Sequence, residues 1–215
     1  MCFARTIRHS VLGLAALCIG VAPAPAQRVE LSPFVGYRIG GSLSGYTTSA
    51  SYDADGALSY GGVISFAPRR DAGVEFLFSH QATSASTSNT VAEIQGFDLN
   101  VNQWALGGFR NFGGSDRVKP FAAGYIGFTN FSSPDFTGSE TLFAFAADLG
   151  LKAWTPSDRV ALRLDARGYF TLVNSGTGAW CAGGNCIIAF SGDLFFQADF
   201  TAGVVIALGG RRGSQ

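Results

Sequence analysis

The stretch RVALRLDARGYFTLV, residues Arg159–Val173, places an apolar or small residue at every second position and polar residues between them. Because successive side chains of a β-strand point to opposite faces, this period of two predicts a strand with one apolar face and one densely charged face. Such a strand needs apolar surroundings on one side and a polar interior or solvent on the other. The apolar or small positions are Val160, Leu162, Leu164, Ala166, Gly168 and Phe170, and the polar positions are Arg163, Asp165, Arg167, Tyr169 and Thr171.

Seven further segments show comparable alternation, so the chain predicts eight strands in all. They cover residues 29–39, 58–66, 73–79, 97–110, 118–131, 143–152 and 196–206. The connections alternate between long polar loops and short turns, beginning with a long loop. An up-and-down barrel sorts its connections in this way, whereas a sandwich or a Greek-key barrel does not. The pattern predicts an all-β, eight-stranded antiparallel up-and-down barrel.

Composition indicates which face of these strands points outward. A soluble barrel of the lipocalin kind would turn its apolar face inward around a ligand and expose the polar set to water. Charged residues make up only 14% of this chain, against about 25% in ordinary soluble domains. Its 19 Phe residues would overfill so narrow an interior. The sequence therefore favours a transmembrane β-barrel with an apolar outer face and a charged lumen.

The polar positions of the strands carry a nearly balanced set of acidic and basic residues. The interior of an eight-stranded barrel is only wide enough to be filled by side chains. We therefore expect these residues to pair with one another in a plugged, hydrogen-bonded lumen network. Its predicted members are Glu30, Arg38, Glu75, Asp98, Arg110, Asp148, Lys152, Arg163, Asp165, Arg167 and Asp199.

The fourth and fifth predicted strands are harder to orient. In the fourth, the apolar set that begins with Phe97 is expected to face outward and Asp98 inward, but Gln103 and Trp104 interrupt the alternation. Either a β-bulge lies there or Trp104 helps to fill the lower lumen. In the fifth strand, Gly and Ala residues obscure which parity faces outward.

The first 26 residues are expected to be removed from the mature protein. A positive n-region with Arg5 and Arg8, an apolar run and small residues after it predict a secretory signal peptide cleaved between Ala26 and Gln27. The predicted division of the chain is a signal peptide at 1–26, a barrel at 27–210 and a short tail at 211–215.

Two other interpretations of this leader are less consistent with its residues. The apolar run over 11–22 is shorter than the ~20 residues that a membrane-spanning helix requires. Lipoprotein processing at Cys18 would need a small residue before it, and Leu17 occupies that position. A cleaved signal peptide remains the expectation.

Two cysteines lie close together in the last long connection. Cys181 and Cys186 have no histidine near them, which argues against a metal site there. A secreted protein reaches an oxidising compartment, where a local disulfide is expected and two free thiols are the alternative. We predict a disulfide between these two residues.

His80 is the one histidine after the predicted signal peptide. Because Ser79, Ser84 and Glu93 are near it in sequence, a hydrolase combining a histidine with a serine and an acid is one interpretation. No histidine-x-serine strand motif is present, and a single histidine at a strand end is typical of an interfacial polar residue. We therefore predict no catalytic residues, no metal site and no cofactor. The 15 basic and 15 acidic residues give no indication of nucleic-acid binding.

Several segments resemble a known family. FDLNVNQWALGGFRNFG from Phe97, SETLFAFAADLGLKAW from Ser139 and SGDLFFQADFTAGVVIAL from Ser191, with the opening strand and VKPFAAGYIGF from Val118, are similar to small outer-membrane β-barrel proteins of the OmpA-type superfamily. The likeness is greatest to secreted barrels of Gram-negative bacteria. It implies a location in the outer membrane with both termini in the periplasm, contact with outer-membrane lipids and insertion by the outer-membrane assembly machinery.

The chain departs from that family at its C-terminal end. Such barrels usually finish on an aromatic residue, whereas the last aromatic here is Phe200 and the sequence ends GGRRGSQ. No peptidoglycan-binding segment follows the last predicted strand, so a cell-wall anchoring role is not expected.

Together these features predict a non-enzymatic outer-membrane barrel that displays four loops outside the cell. Its expected role is in envelope integrity or surface interaction, with the loops available to an extracellular partner. The alternatives are a narrow pore or conduit for small solutes or hydrophobic compounds, and an enzyme that modifies lipid A through His80.

Overall fold

The computed structural model describes most of the chain after the predicted signal peptide. The described residues are 28–45, 51–68, 71–87, 96–115, 117–135, 138–173, 180–182, 185–190 and 194–208. Within these ranges no helix is long and apolar enough to cross a membrane. The predicted signal peptide, its cleavage point between Ala26 and Gln27, and the predicted tail at 211–215 lie outside the described residues.

Every regular element in the described ranges is a β-strand. The strands are β1 (Arg28–Ile39), β2 (Ser42–Gly45), β3 (Ser51–Ala54), β4 (Ala57–Ala67), β5 (Ala72–Ser86), β6 (Gly96–Asn111), β7 (Val118–Ser132), β8 (Ser139–Trp154), β9 (Val160–Leu172), β10 (Trp180–Ala182), β11 (Asn185–Phe190) and β12 (Leu194–Leu208). Eight of them form a closed antiparallel ring in the order β5-β4-β1-β12-β9-β8-β7-β6, in which β6 pairs with β5 again. The predicted eight-stranded up-and-down barrel is therefore confirmed.

Four short strands extend the sheet at the end of the barrel that carries the long connections, called here the loop end. β10, β11, β2 and β3 pair in that order. β3 also pairs with the last residues of β5, through Asp53 opposite Ser86 and Ala54 opposite Ala85. The sequence predicts only loops here, because Gly, Ser and Thr leave no sustained apolar alternation.

The opposite end of the barrel carries the short turns. Between β6 and β7, Gly114 has a φ of 84°, in the left-handed region that favours glycine. A Cβ at this position would lie 2.2 Å from the carbonyl oxygen of Val118. A larger residue therefore cannot fit unless the turn moves.

β6 turns the same parity inward along its whole length. Its pairing with β5 and β7 runs without a shift, so no β-bulge occurs at Gln103 and Trp104. Gln103 is buried in the lumen, and Trp104 faces outward with 47% of its surface exposed. Neither predicted arrangement of Trp104 is correct, because Phe97 and its apolar companions face inward. In β7 the inward-facing aromatic residues are Phe121, Tyr125 and Phe131, and the outward-facing large ones are Ile126 and Phe128.

The lumen is filled in layers. Near the short turns, Trp154, Ala161 and Val205 form a small apolar cluster. Most of the remaining length holds buried charged side chains interleaved with aromatic residues such as Phe109 and Phe121. At the loop end the lumen is apolar, and this loop-end cluster consists of Tyr52, Ala54, Ala85, Phe97, Leu99, Val101, Phe131, Val173 and Phe195.

Candidate functional site

Nine of the eleven residues predicted for the lumen network point into the barrel and are buried. These nine are Glu30, Arg38, Glu75, Asp148, Lys152, Arg163, Asp165, Arg167 and Asp199. Arg28, the first residue of β1, joins them with its Nε 3.0 Å from Glu30 Oε1. Together these ten residues comprise five basic and five acidic side chains.

Arg163 on β9 lies at the centre of this network. Its Nη1 is 3.0 Å from Glu75 Oε1, and its Nε is 2.7 Å from Asp165 Oδ1. β5 and β9 stand on opposite sides of the ring, so the contact between Glu75 and Arg163 crosses the full width of the lumen. Glu75 also accepts a hydrogen bond from Ser65 Oγ at 2.8 Å and another from the Tyr125 hydroxyl. Side chains from β4, β5, β7 and β9 are joined in this way.

Two further ion pairs lie between neighbouring strands, nearer the loop end. Arg167 Nη2 is 2.8 Å from Asp148 Oδ2, and Arg38 Nη2 is 3.0 Å from Asp199 Oδ2. In both pairs the two residues are directly opposite in the strand register. Ser59 Oγ donates to the second oxygen of Asp199 at 2.7 Å. The register therefore places each of these charges beside its partner.

The network ends near the short turns in cation–aromatic contacts. Lys152 Nζ is 3.0 Å from Glu30 Oε2 and 4.5 Å from the ring centroid of Phe109. The guanidinium of Arg28 lies 4.0 Å above the ring of Trp154. Contacts of this kind stabilise cations held away from water.

A layer of uncharged polar side chains separates the ion pairs from the loop-end cluster. Thr129 Oγ1 on β7 and Thr171 Oγ1 on β9 are 2.8 Å apart on the inner side of β8, which lies between these two strands. Gln197 Nε2 donates to Gln81 Oε1 at 3.1 Å, and Gln81 Nε2 donates to the Arg38 carbonyl oxygen at the same distance. The lumen thus passes from charged to neutral polar to apolar side chains toward the loop end.

Asp98 and Arg110 are the two predicted lumen residues that face outward. Both are exposed on the outer side of β6, where Asp98 Oδ1 accepts a hydrogen bond from Ser84 Oγ at 3.3 Å. The prediction that these two residues lie in the lumen is wrong, and the strand geometry explains why. Trp104 and Leu106 are exposed on the same parity, and a strand without a bulge keeps one parity throughout.

The outer surface of the eight barrel strands carries exposed large apolar side chains, called here the outward apolar belt. Leu58, Ile126 and Leu149 each expose between 64% and 68% of their surface. The side chains form rows that follow the strand register, and in one row the rings of Phe145 and Phe170 stack at 5.0 Å. Members of that row are Phe76, Leu106, Ile126, Phe145, Phe170 and Phe196.

The belt gives way to polar residues at the loop end of β5, β6, β7 and β8. His80 Nδ1 lies 2.7 Å from Asn102 Oδ1, and because the amide oxygen only accepts, the ring nitrogen carries the proton. Asn130 Nδ2 donates to Thr141 Oγ1 at 2.9 Å. We call this surface the outward polar face, and its members are His80, Ser84, Ser86, Asp98, Asn100, Asn102, Asn130, Ser132, Ser139 and Thr141.

The structure does not bring together the residues of the hydrolase interpretation. Ser79 faces into the lumen, where its hydroxyl contacts the guanidinium of Arg38. Ser84 is hydrogen-bonded to Asp98 rather than to His80. Glu93 lies outside the described residues.

The two cysteines occupy facing positions in the hairpin of β10 and β11. Cys181 and Cys186 are register partners there, while their side chains lie outside what the structure describes. The disulfide between them therefore stays a prediction. Across the described ranges, no group of three His, Cys, Asp or Glu residues could hold a metal ion.

A closed ring of eight antiparallel strands with this loop arrangement is the fold of small outer-membrane β-barrel proteins. The structure is similar to the outer membrane protein OprG of Pseudomonas aeruginosa, with a TM-score of 0.58, 10% identity and coverage of 86% of this chain and 96% of that chain. Neisserial surface protein A gives a TM-score of 0.52, 11% identity, and 83% and 96% coverage. The outer membrane protein AlkL, solved in lipid bilayers, gives 0.52, 13% identity, and 91% and 96% coverage. The sequence matches no protein-family model and no curated protein.

Proposed function

We propose that the protein is an integral outer-membrane β-barrel of the OmpA-type superfamily with a plugged lumen and no catalytic activity. Its role is structural or lies in surface interaction at the loop end. The observation that carries this proposal is the polarity of the barrel strands, which expose the outward apolar belt and bury a paired charge network.

The outward apolar belt supports a lipid environment. Soluble monomers rarely expose contiguous apolar patches larger than a few hundred Å², whereas here large apolar side chains surround the barrel. The barrel strands contain 11 to 16 residues, and about 9 to 11 suffice for a tilted strand to cross a bilayer. The main partner of this surface is therefore membrane lipid.

The contacts inside the barrel support a plugged lumen. Glu75 and Arg163 meet across its full width, and Thr129 and Thr171 meet in the polar layer above them. An eight-stranded barrel has no room for a water-filled channel beside such contacts. We therefore expect the barrel to be closed to ions.

The two kinds of connection give the barrel its direction in the membrane. Short turns face the periplasm and longer loops face the outside in outer-membrane barrels, so both termini of this chain would lie in the periplasm. Export by the signal peptide at 1–26 and insertion by the outer-membrane assembly machinery belong to the same proposal.

The loop end is the place where an extracellular partner would bind. β2 in the first long connection pairs with β11 in the last one, so the two connections form one sheet. Binding residues are often carried on loops that a rigid scaffold positions. A deletion that replaces 180–190 with a short Gly-Ser link should leave the barrel folded and remove partner binding.

A second candidate function is a conduit for hydrophobic compounds. The observation that favours it is the apolar loop-end cluster, which includes Phe131 and Phe195 with ring centroids 5.1 Å apart. A compound entering there would have to leave sideways, because the ion pairs lie below it. Faster entry of a hydrophobic fluorophore into vesicles containing the barrel than into empty vesicles would favour this function.

Insertion into lipid tests the leading proposal. The mature chain, beginning at Gln27, is refolded into phosphatidylethanolamine and phosphatidylglycerol vesicles and analysed by gel migration before and after heating. We expect a compact form that shifts on heating and resists extraction with urea or carbonate. A chain that stays in the aqueous fraction and folds there would contradict the membrane location.

A further inference from the structure

The outward polar face begins one step beyond the outward apolar belt. Phe78, Trp104, Phe128 and Phe143 lie side by side in the strand register and form the last apolar row. The next row toward the loop end consists of His80, Asn102, Asn130 and Thr141, again side by side. Successive residues on one face of a strand are about 7 Å apart. In the membrane location proposed above, this row therefore lies level with the lipid head groups.

Hydrogen bonds within this row fix which groups it offers to a partner. Asn102 Oδ1 is occupied by His80, which leaves its Nδ2 as a donor. Asn130 Nδ2 is occupied by Thr141, which leaves its Oδ1 as an acceptor. Asn102 and Asn130 are directly opposite each other in the register of β6 and β7. A donor and an acceptor are thus held next to each other on a flat sheet surface.

The charge of the face limits what it can bind. Asp98 is its only charged member, and no Lys or Arg belongs to it. Arg and Lys side chains are common partners of phosphate groups in proteins. The outward polar face offers neither, which argues against a phosphate group as its main ligand. Sugar hydroxyl groups both donate and accept hydrogen bonds, which matches the adjacent amide groups of Asn102 and Asn130. The ring of Tyr60, 5.0 Å from that of His80, extends the row with an aromatic surface.

We propose that the outward polar face binds the sugar part of a glycolipid in the outer leaflet of the membrane. This inference rests on the proposed membrane location. The aromatic row of Trp104 and Phe128 contacts the acyl chains, and the row of Asn102 and Asn130 hydrogen-bonds the sugars of the same lipid. The contact is specific to one side of the barrel, because β1, β4, β9 and β12 carry apolar outward residues up to their loop ends.

The test compares three vesicles that differ only in the added lipid. The mature chain is refolded into phosphatidylethanolamine and phosphatidylglycerol alone, with lipid A, or with lipopolysaccharide that carries its core sugars. The unfolding rate in urea is followed by gel migration. Because lipid A already carries glucosamine sugars at the level of the head groups, we expect unfolding about tenfold slower with lipid A or with lipopolysaccharide than with phospholipid alone, the effect of one or two hydrogen bonds.

Variants test whether this difference in unfolding rate comes from the outward polar face. The double variant Asn102→Leu with Asn130→Leu should unfold at nearly the same rate in all three kinds of vesicle. Arg110→Leu, a matched loss of an exposed polar group at the other end of β6, should keep the tenfold ratio. Thr141→Val, which removes one hydroxyl group, should lower the ratio of unfolding rates only partly. This variant tests the inference if the double variant does not refold.

Two results would overturn the inference while leaving the proposed function intact. The first is a wild-type barrel that inserts normally and unfolds at equal rates in all three kinds of vesicle. The second is a double variant of Asn102 and Asn130 that keeps the full ratio. Failure of the wild-type chain to insert into any of the vesicles would instead contradict the proposed membrane location.

Discussion

The middle of the barrel and its loop end on β5 to β8 have opposite polarity. In the middle, Arg163 and Glu75 are buried in the lumen while Leu106 and Ile126 are exposed outside. At the loop end, Leu99 is buried inside, and the outward polar face replaces the apolar belt. The same strands pass through both regions without a bulge in β6.

This inversion indicates where the surroundings of the outer face change from lipid to water. An apolar exterior around a charged interior suits lipid outside and a sealed lumen inside. A polar exterior around an apolar interior is the arrangement of a protein in water. The change occurs between Trp104 and Asn102 on β6, and between Phe128 and Asn130 on β7. These positions mark the outer boundary of the hydrocarbon region in our account.

The largest expected effect comes from breaking the ion pairs of the middle region. Arg163→Ala leaves Glu75 and Asp165 buried without their main partner, which should lower the free energy of unfolding by about 3 to 5 kcal/mol. Arg159→Ala, in an exposed turn, should change it by less than about 0.5 kcal/mol. Urea unfolding of both refolded variants measures the difference. Equal midpoints would mean that the lumen network does not hold the barrel together.

A charge placed on the outer face of β6 tests the boundary between the regions. Leu106→Arg puts a cation into the outward apolar belt and should cost about 2 to 4 kcal/mol of folding free energy in a bilayer. Asn100→Arg lies on the same face of β6, closer to the loop end. It should cost about 0 to 1 kcal/mol of folding free energy. Unfolding in lipid vesicles compares the two. Similar losses at both positions would place Asn100 inside the hydrocarbon region and remove the proposed boundary.

Truncation of an apolar side chain sharpens the comparison at the loop end. Leu99→Ala creates a cavity in the loop-end cluster and should lower the free energy of unfolding by roughly 2 to 3 kcal/mol. Leu106→Ala on the same strand removes an outward side chain and leaves a space that lipid can fill, so we expect a loss of about 1 kcal/mol or less. A larger loss at Leu106 would indicate that the loop-end cluster is not a packed core.

Sequence alternation was sufficient to predict the barrel but not the orientation of every strand. In β9, each apolar residue is flanked by charged or aromatic polar ones, so Arg163 and Arg167 could be assigned to the lumen from sequence. In β6, alternation correctly separated Phe97 from Asp98, but it does not say which of the two faces inward. Trp104 and Leu106 share the parity of Asp98, and both are exposed on the outer side of the barrel. Two large apolar residues at these positions were the sequence signal that Asp98 faces outward.

The loop-end cluster and the short strands could not be predicted, because they depend on contacts between parts of the chain that are far apart in sequence. The loop-end cluster brings Tyr52 and Phe195 together from connections and strands far apart in sequence, and neither residue alternates with polar neighbours in a long pattern. β2 and β3 gain their stability by pairing with β11 and β5 rather than from local propensity. Arg28 was missed because the predicted first strand begins one residue after it, at Val29.

Single-channel conductance of the wild-type barrel in planar bilayers tests the central claim most directly. If the side chains of Arg163, Glu75 and their partners fill the lumen, correctly folded, heat-modifiable protein should insert and remain electrically silent. Discrete and repeated openings from the same preparation would contradict the plugged lumen and identify the charged residues as the lining of a pore.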